Sequence, residues 1–178
     1  MTAGTADVQR RILRADDPAL GPWQSFLRAH ARLTRRLDED LREQHGMSLA
    51  EYDALFQLSQ APGRRLRMSR LADQVLLSRS GVTRLIDRLV EDGAVERVAC
   101  SDDARGAEAV LTRVGLDRLR AAARTHLEGI QRWFVEQVEP RDLQAMDRAF
   151  GRVVEALDSG SLCEDETTEA GAAGTSDG

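Results

Sequence analysis

Apolar residues recur along most of this chain at three- and four-residue spacing, and turn residues mark the breaks between the runs. From Pro22 onward, Trp23, Phe26, Leu27, His30, Leu33 or Thr34, Leu37 and Leu41 share one face, while Arg28, Arg32, Arg35, Arg36, Asp38, Glu39 and Asp40 lie between them. That period predicts an amphipathic helix, opened by Pro22 and closed by His45-Gly46. Ser48-Leu49-Ala50-Glu51 reads as a capping box, in which serine oxygen and glutamate carboxylate each satisfy a free backbone N–H. A second helix therefore starts at Leu49, burying Tyr52, Leu55, Phe56 and Leu58 or Ser59, and stops at Ala61-Pro62-Gly63.

Two shorter runs follow. Ser69 is expected to cap a helix reaching about Val75, with Leu71, Ala72 and Val75 inward; Leu76-Leu77 turns the chain, and Ser78 is expected to cap the next helix. There Val82, Leu85, Ile86, Leu89 and Val90 fall at i, i+3, i+4, i+7 and i+8, which leaves Ser80, Thr83, Arg84, Asp87 and Arg88 opposite and Arg79 at the exposed start. Gly93 ends it. Val95 to Val98 and Ala109 to Thr112 alternate like strands around ten residues rich in Ser, Asp, Arg and Gly, so a hairpin is predicted. Leu116, Leu119, Ala123, Leu127, Ile130, Phe134 and Val138 then mark a long helix. Pro140 opens a last one, with Leu143, Met146, Phe150, Val153, Val154 and Leu157 on its stripe.

These elements predict a mainly α chain with a small β-hairpin wing, a winged helix-turn-helix at residues 48–112 between helices at 22–47 and 113–158. The outer helices are more apolar than one small lobe requires, and such stripes meet a partner, so they are read as dimerisation helices. Residues 1–21 are polar and mixed, a flexible arm. Residues 159–178 turn to Gly, Ala, Ser, Thr and acid, the composition of a disordered acidic tail.

Charge changes the picture locally. The 178 residues carry a net charge of −5, but six acidic residues and no basic ones lie from Asp158 to the end, whereas Pro62 to Arg88 holds seven arginines against two aspartates. A local basic face matters more to a polyanion than the global balance does. No run is apolar enough for a signal peptide or a membrane span, so a cytoplasmic location without membrane association is expected. Cys100 and Cys163 have no CxxC spacing and read as free thiols. Cys100 opens the hairpin loop, where a thiol could sense oxidants; the inert reading is preferred.

Leu71-Ala72, the run Leu77-Ser78-Arg79-Ser80-Gly81-Val82-Thr83-Arg84-Leu85-Ile86-Asp87-Arg88-Leu89, Gly93-Ala94-Val95-Glu96-Arg97, and then Asp103-Ala104-Arg105-Gly106 before Leu111-Thr112 and Gly115 resemble the helix-turn-helix and wing of the MarR family of bacterial transcriptional regulators. The likeness covers roughly residues 22–158. It implies a homodimer with interlocked terminal helices, each recognition helix in a major groove and each wing at an adjacent minor groove. It also implies that Arg105 is the minor-groove arginine and that Asp103 braces it. Gly81 departs from the pattern, since relatives often carry a side chain there.

DNA reading needs contacts that fix register and contacts that specify sequence. Ser78, Ser80, Arg64, Arg65 and Arg88 are candidates for phosphates; Arg79, Thr83 and Arg84 project where base edges would lie, arginine suiting guanine and threonine a thymine methyl. The plainer reading, a solvated helix face, is weakened because Arg84 and Arg88 at i, i+4 repel each other. The resemblance further implies a pocket for a small aromatic or phenolic effector, with Trp23, His30, Tyr52 and Phe56 as candidate lining; simple core packing is the competing reading. His30, His45 and His126 lack metal-ligand spacing, and no nucleophile constellation is present, so neither enzyme activity nor a cofactor or metal is expected. The expected function is a sequence-specific, homodimeric repressor of a pseudo-palindromic operator, released by a small molecule or a stress signal. A dimeric protein-interaction module and an architectural DNA binder without sequence preference are the alternatives.

Overall fold

The structure is a computed structural model that describes residues 13–75, 79–99 and 106–165, with the backbone alone at residues 79 and 160–165. Asp17 caps a short 3-10 turn, Pro18–Leu20, that leads into α1, Gly21–His45. Gly46 ends α1 at φ 59°, where its N–H reaches the Arg42 and Leu41 carbonyls, a left-handed cap that a β-carbon would strain. The capping box then forms as expected. Ser48 Oγ accepts the Glu51 N–H at 3.2 Å, Glu51 Oε2 accepts the Ser48 N–H at 2.7 Å, and α2 runs over Leu49–Gln60.

A three-residue strand, β1 (Arg65–Arg67), follows a 3-10 turn and passes directly into α3, Met68–Gln74. The expected cap at Ser69 is corrected here: the helix begins one residue before Ser69, and Arg67, still extended, occupies the cap position without a side-chain bond. The recognition helix α4 spans Arg79–Glu91, and β2 (Val95–Ala99) and β3 (Ala107–Leu111) complete the hairpin. The sheet order is β1-β3-β2, antiparallel throughout, with Leu66 opposite Ala109 and Arg97 opposite Ala109 on the other side. The alternation along the chain predicts a two-stranded wing, because β1, at three residues, is too short to show a period.

Thr112 fixes the exit from the sheet. Its hydroxyl donates to the Gly93 carbonyl at 2.7 Å and accepts the Gly115 N–H at 3.0 Å, capping α5, Arg113–Trp133. The backbones pass so closely there that a β-carbon on Gly115 would lie 2.1 Å from the Ala94 oxygen, so only glycine fits. The core of this unit gathers one stripe from each helix: Leu41 and Met47, Leu55 and Leu58, Leu71, then Val82, Leu85, Ile86 and Leu89, with Val95, Ala109 and Leu119 closing it. Phe56 and Val90, both expected inside, are exposed instead. Each lies at the edge of its apolar stripe, where the period alone does not tell inside from flank.

The chain divides into two compact units, residues 1–131 and 132–178. In the second, a 3-10 turn at Val135–Gln137 precedes α6, Pro140–Asp165, which continues seven residues past the expected end at Asp158. Gly and Ser in that last segment lower helix propensity without forbidding the helix. Residues 166–178 of the acidic tail and 1–12 of the arm lie outside the described residues, as does Cys100. No helix among the described residues is long and apolar enough to cross a membrane.

Candidate nucleic-acid interface

Helix α4 divides cleanly by face. Val82, Leu85, Ile86 and Leu89 are buried, while Ser80, Thr83, Arg84, Asp87 and Arg88 are exposed. Burying four branched aliphatic side chains, each worth about 1.5–3 kcal/mol, fixes which way the helix is rolled. The polar face is thereby presented outward as a consequence of packing.

The ion pairs separate the arginines into two classes. Arg88 lies 3.7 Å from Glu51, Arg65 lies 3.5 Å from Glu108, and Arg97 on β2 binds Asp87 of α4 at 2.9 Å. These side chains join elements to one another: α4 to α2, β1 to β3, and the wing strand to the recognition helix. Arg84 and Arg64 have no acidic partner among the described residues and stand exposed. The same is true of Arg67 and Arg70, on β1 and at the start of α3, which the sequence reading counted as charge but did not single out. Their signal was present as arginines without nearby acids; what was missing was the short strand that puts them beside one another in the chain's path. Arg64 adopts φ 55°, an unusual conformation for a side-chain-bearing residue, at the corner between the 3-10 turn and β1.

Ser80, Thr83 and Arg84 are thus brought together on one exposed face, with Arg88 on that face but tethered. Ser78, Asp103 and Arg105 lie outside the described residues, and of Arg79 only the backbone is described. An exposed face that carries the uncompensated guanidinium of Arg84 beside hydroxyl side chains can neutralise and hydrogen-bond a polyanion.

The four effector candidates fall into two ring clusters. Trp23, Phe26 and His30 form a ladder along α1 with ring centroids 5.9 and 6.0 Å apart, whereas Tyr52 stacks on Phe56 at 6.5 Å and meets the tilted ring of His126 of α5 at 4.3 Å. Among the described residues no ring contact joins the two groups. Tyr52 is buried core. His126 is half-buried, with Nδ1 shut off from solvent and without a hydrogen-bond partner, and burial holds its pKa below the usual histidine value. His45 instead shares a 2.8 Å hydrogen bond with Thr125. No group of residues with metal-ligand character occurs among the described residues.

Comparison with known proteins agrees with this arrangement. The MarR family profile matches residues 45–106. AbsC, a MarR family transcriptional regulator from Streptomyces coelicolor, shares 33% identity over 84% of this chain and 99% of its own, at a TM-score of 0.73. A second MarR family transcriptional regulator of that organism, solved in complex with DNA, shares 31% identity over 84% of this chain and 92% of its own, at 0.74. A MarR family regulator from Silicibacter pomeroyi follows at 27% identity and 0.65, over 78% of this chain and 94% of its own. Among curated protein sequences no match was found. A buried-face recognition helix, a three-stranded wing sheet and long flanking helices, shared along the length of a relative one-third identical, establish that this chain belongs to the MarR family of transcriptional regulators.

Proposed function

We propose that the protein is a homodimeric transcriptional repressor that reads a pseudo-palindromic DNA operator and is released by a small-molecule or stress signal. The observation that carries the DNA reading is Arg84, an exposed cation without an acidic partner among the described residues, on the face of α4 that packing turns outward. The relative solved with DNA supports it.

Arg84 and Thr83, with Arg79, are the proposed base readers; Ser78, Ser80, Arg64 and Arg65 are proposed to hold phosphates, together with Arg88 to the extent that Glu51 releases it. Arg105 at the wing is proposed to enter the minor groove, supported by Asp103, as the family resemblance implies. Two copies joined through the outer helices would place two recognition helices about one helical turn apart.

Selection from random duplexes supplies the operator, and titration at several salt concentrations then compares variants. Arg84→Ala should cost about 1–3 kcal/mol and relax preference at one base position, while Arg64→Ala should lower affinity evenly across sequences and reduce the salt slope by about 0.9. An Arg84→Ala protein that keeps full affinity and selectivity would remove the assignment.

A further inference from the structure

A groove of about 470 Å³ runs between α1, α2 and the end of α3, bordered by His30, Thr34, Asp38, Leu49, Asp53 and Val75. Its volume falls in the range of small-molecule sites, roughly 300–1,000 Å³. The charges around it are settled, with one exception. Asp38 accepts Arg42 Nε at 2.6 Å and the Leu49 N–H at 2.8 Å; burial alone would raise its carboxyl, but these bonds hold it below the usual range. Arg35, also on the rim, donates to Glu39 at 2.9 Å. Asp53 has no donor or cation bonded to it among the described residues, although it is half-buried.

We propose that this groove binds a small amphipathic organic cation, a protonated amine on an apolar ring or chain, with the Asp53 carboxylate as its counter-ion. A half-buried carboxylate without a partner is a cost to the folded chain, and burial accordingly pushes its pKa up. An ammonium N–H would offset this cost by supplying both the charge and the donors that Asp53 lacks among the described residues, whereas a carboxylate or phenolate ligand would face Asp53 and repel it. Leu49 and Val75 supply apolar surface for the remainder of the molecule. Val75 is also the residue at which the backbone leaves α3, at φ −94° and ψ 126°, so a bound molecule touches the end of that helix. The site rests on the effector part of the proposed function and deepens it by naming the chemistry, an amine in place of the phenol that the family resemblance implies.

The test is calorimetric titration of the full-length, DNA-free protein with 2-phenylethylamine, alongside 2-phenylethanol and 3-phenylpropanoate as its neutral and anionic counterparts. The amine should bind once per chain and at least about tenfold more tightly than either, with ring-proton Overhauser contacts to the Val75 and Leu49 methyls. Asp53→Asn should weaken the amine at least about tenfold while unfolding no more easily than wild type, since the variant no longer carries an unpaired carboxylate. Equal binding of amine and propanoate, an Asp53→Asn protein that binds the amine like wild type, or contacts located elsewhere would overturn the site. Because no DNA is present, this outcome is independent of whether operator selection succeeds.

Discussion

Helices α4 and α6 carry the same amphipathic rhythm and differ in what covers it. On α4, Val82, Leu85, Ile86 and Leu89 are no more than 1% exposed; on α6, Phe150, Val153, Val154 and Leu157 are 40%, 55%, 55% and 69% exposed. A hydrophobic period reports that a face is apolar, and it is silent about which chain supplies the cover. The lobe around α4 closes its core from its own sequence. On α6, Val153, Val154 and Leu157 are exposed, the condition that a second copy would relieve.

The largest test of that contrast is truncation on each stripe. Ile86→Ala should cost about 2–5 kcal/mol in urea unfolding, independent of protein concentration, because the cavity lies inside one chain. Leu157→Ala removes a similar side chain from an exposed position, so its cost should be small at high dilution and should grow with concentration if a second copy covers it. Equal, concentration-independent losses would show that the two stripes do the same job.

Glycine positions sharpen the comparison further. A β-carbon at Gly115 would collide with the Ala94 carbonyl at 2.1 Å and with Leu111 Cδ1 at 2.7 Å, so Gly115→Ala should lose stability at the upper end of about 1–3 kcal/mol, and the wing sheet should lose hydrogen-exchange protection first. Gly151, on α6, has nothing within 4 Å, and Gly151→Ala should gain up to about 1 kcal/mol from helix propensity alone.

What could be read from the sequence follows the same division. Elements with their own local signal were legible: the Ser48–Glu51 box, the stop at Gly46, the face of α4 and the wing strands all rest on chemistry within a few residues. The order of motifs from Leu71 to Gly115 carried the family. The third strand was not legible, because three residues show no period and Arg65–Arg67 becomes a strand only by pairing with β3. The pairing of cations was equally hidden. Nothing near Arg88 announces Glu51, nor does anything near Arg97 announce Asp87, since these partners meet across elements. The ring contacts of the effector candidates were hidden for a related reason: pattern collects Trp23, His30, Tyr52 and Phe56 as aromatic or imidazole side chains, but only packing pairs Tyr52 with Phe56 and sets Trp23 and His30 on a separate ladder.

The smallest expected effect belongs to His126, where α5 meets Tyr52. Its imidazole is half-buried with an unpartnered Nδ1, and desolvation holds its pKa below the ordinary value of about 6.5. In the unfolded chain the ring takes up a proton at that ordinary value; in the folded chain it does so only at lower pH. Between the two, the unfolded state binds more protons, so stability rises with pH through that window and is lost as pH falls from about 6.5 toward the folded value. His126→Phe keeps a ring against Tyr52 and removes the titration. Urea unfolding from pH 7.5 down to 5 should therefore show a shallower decline for the variant than for wild type. Parallel profiles would mean that the ring already meets water in the folded chain, and that the contact between α2 and α5 is as open as the face of α6.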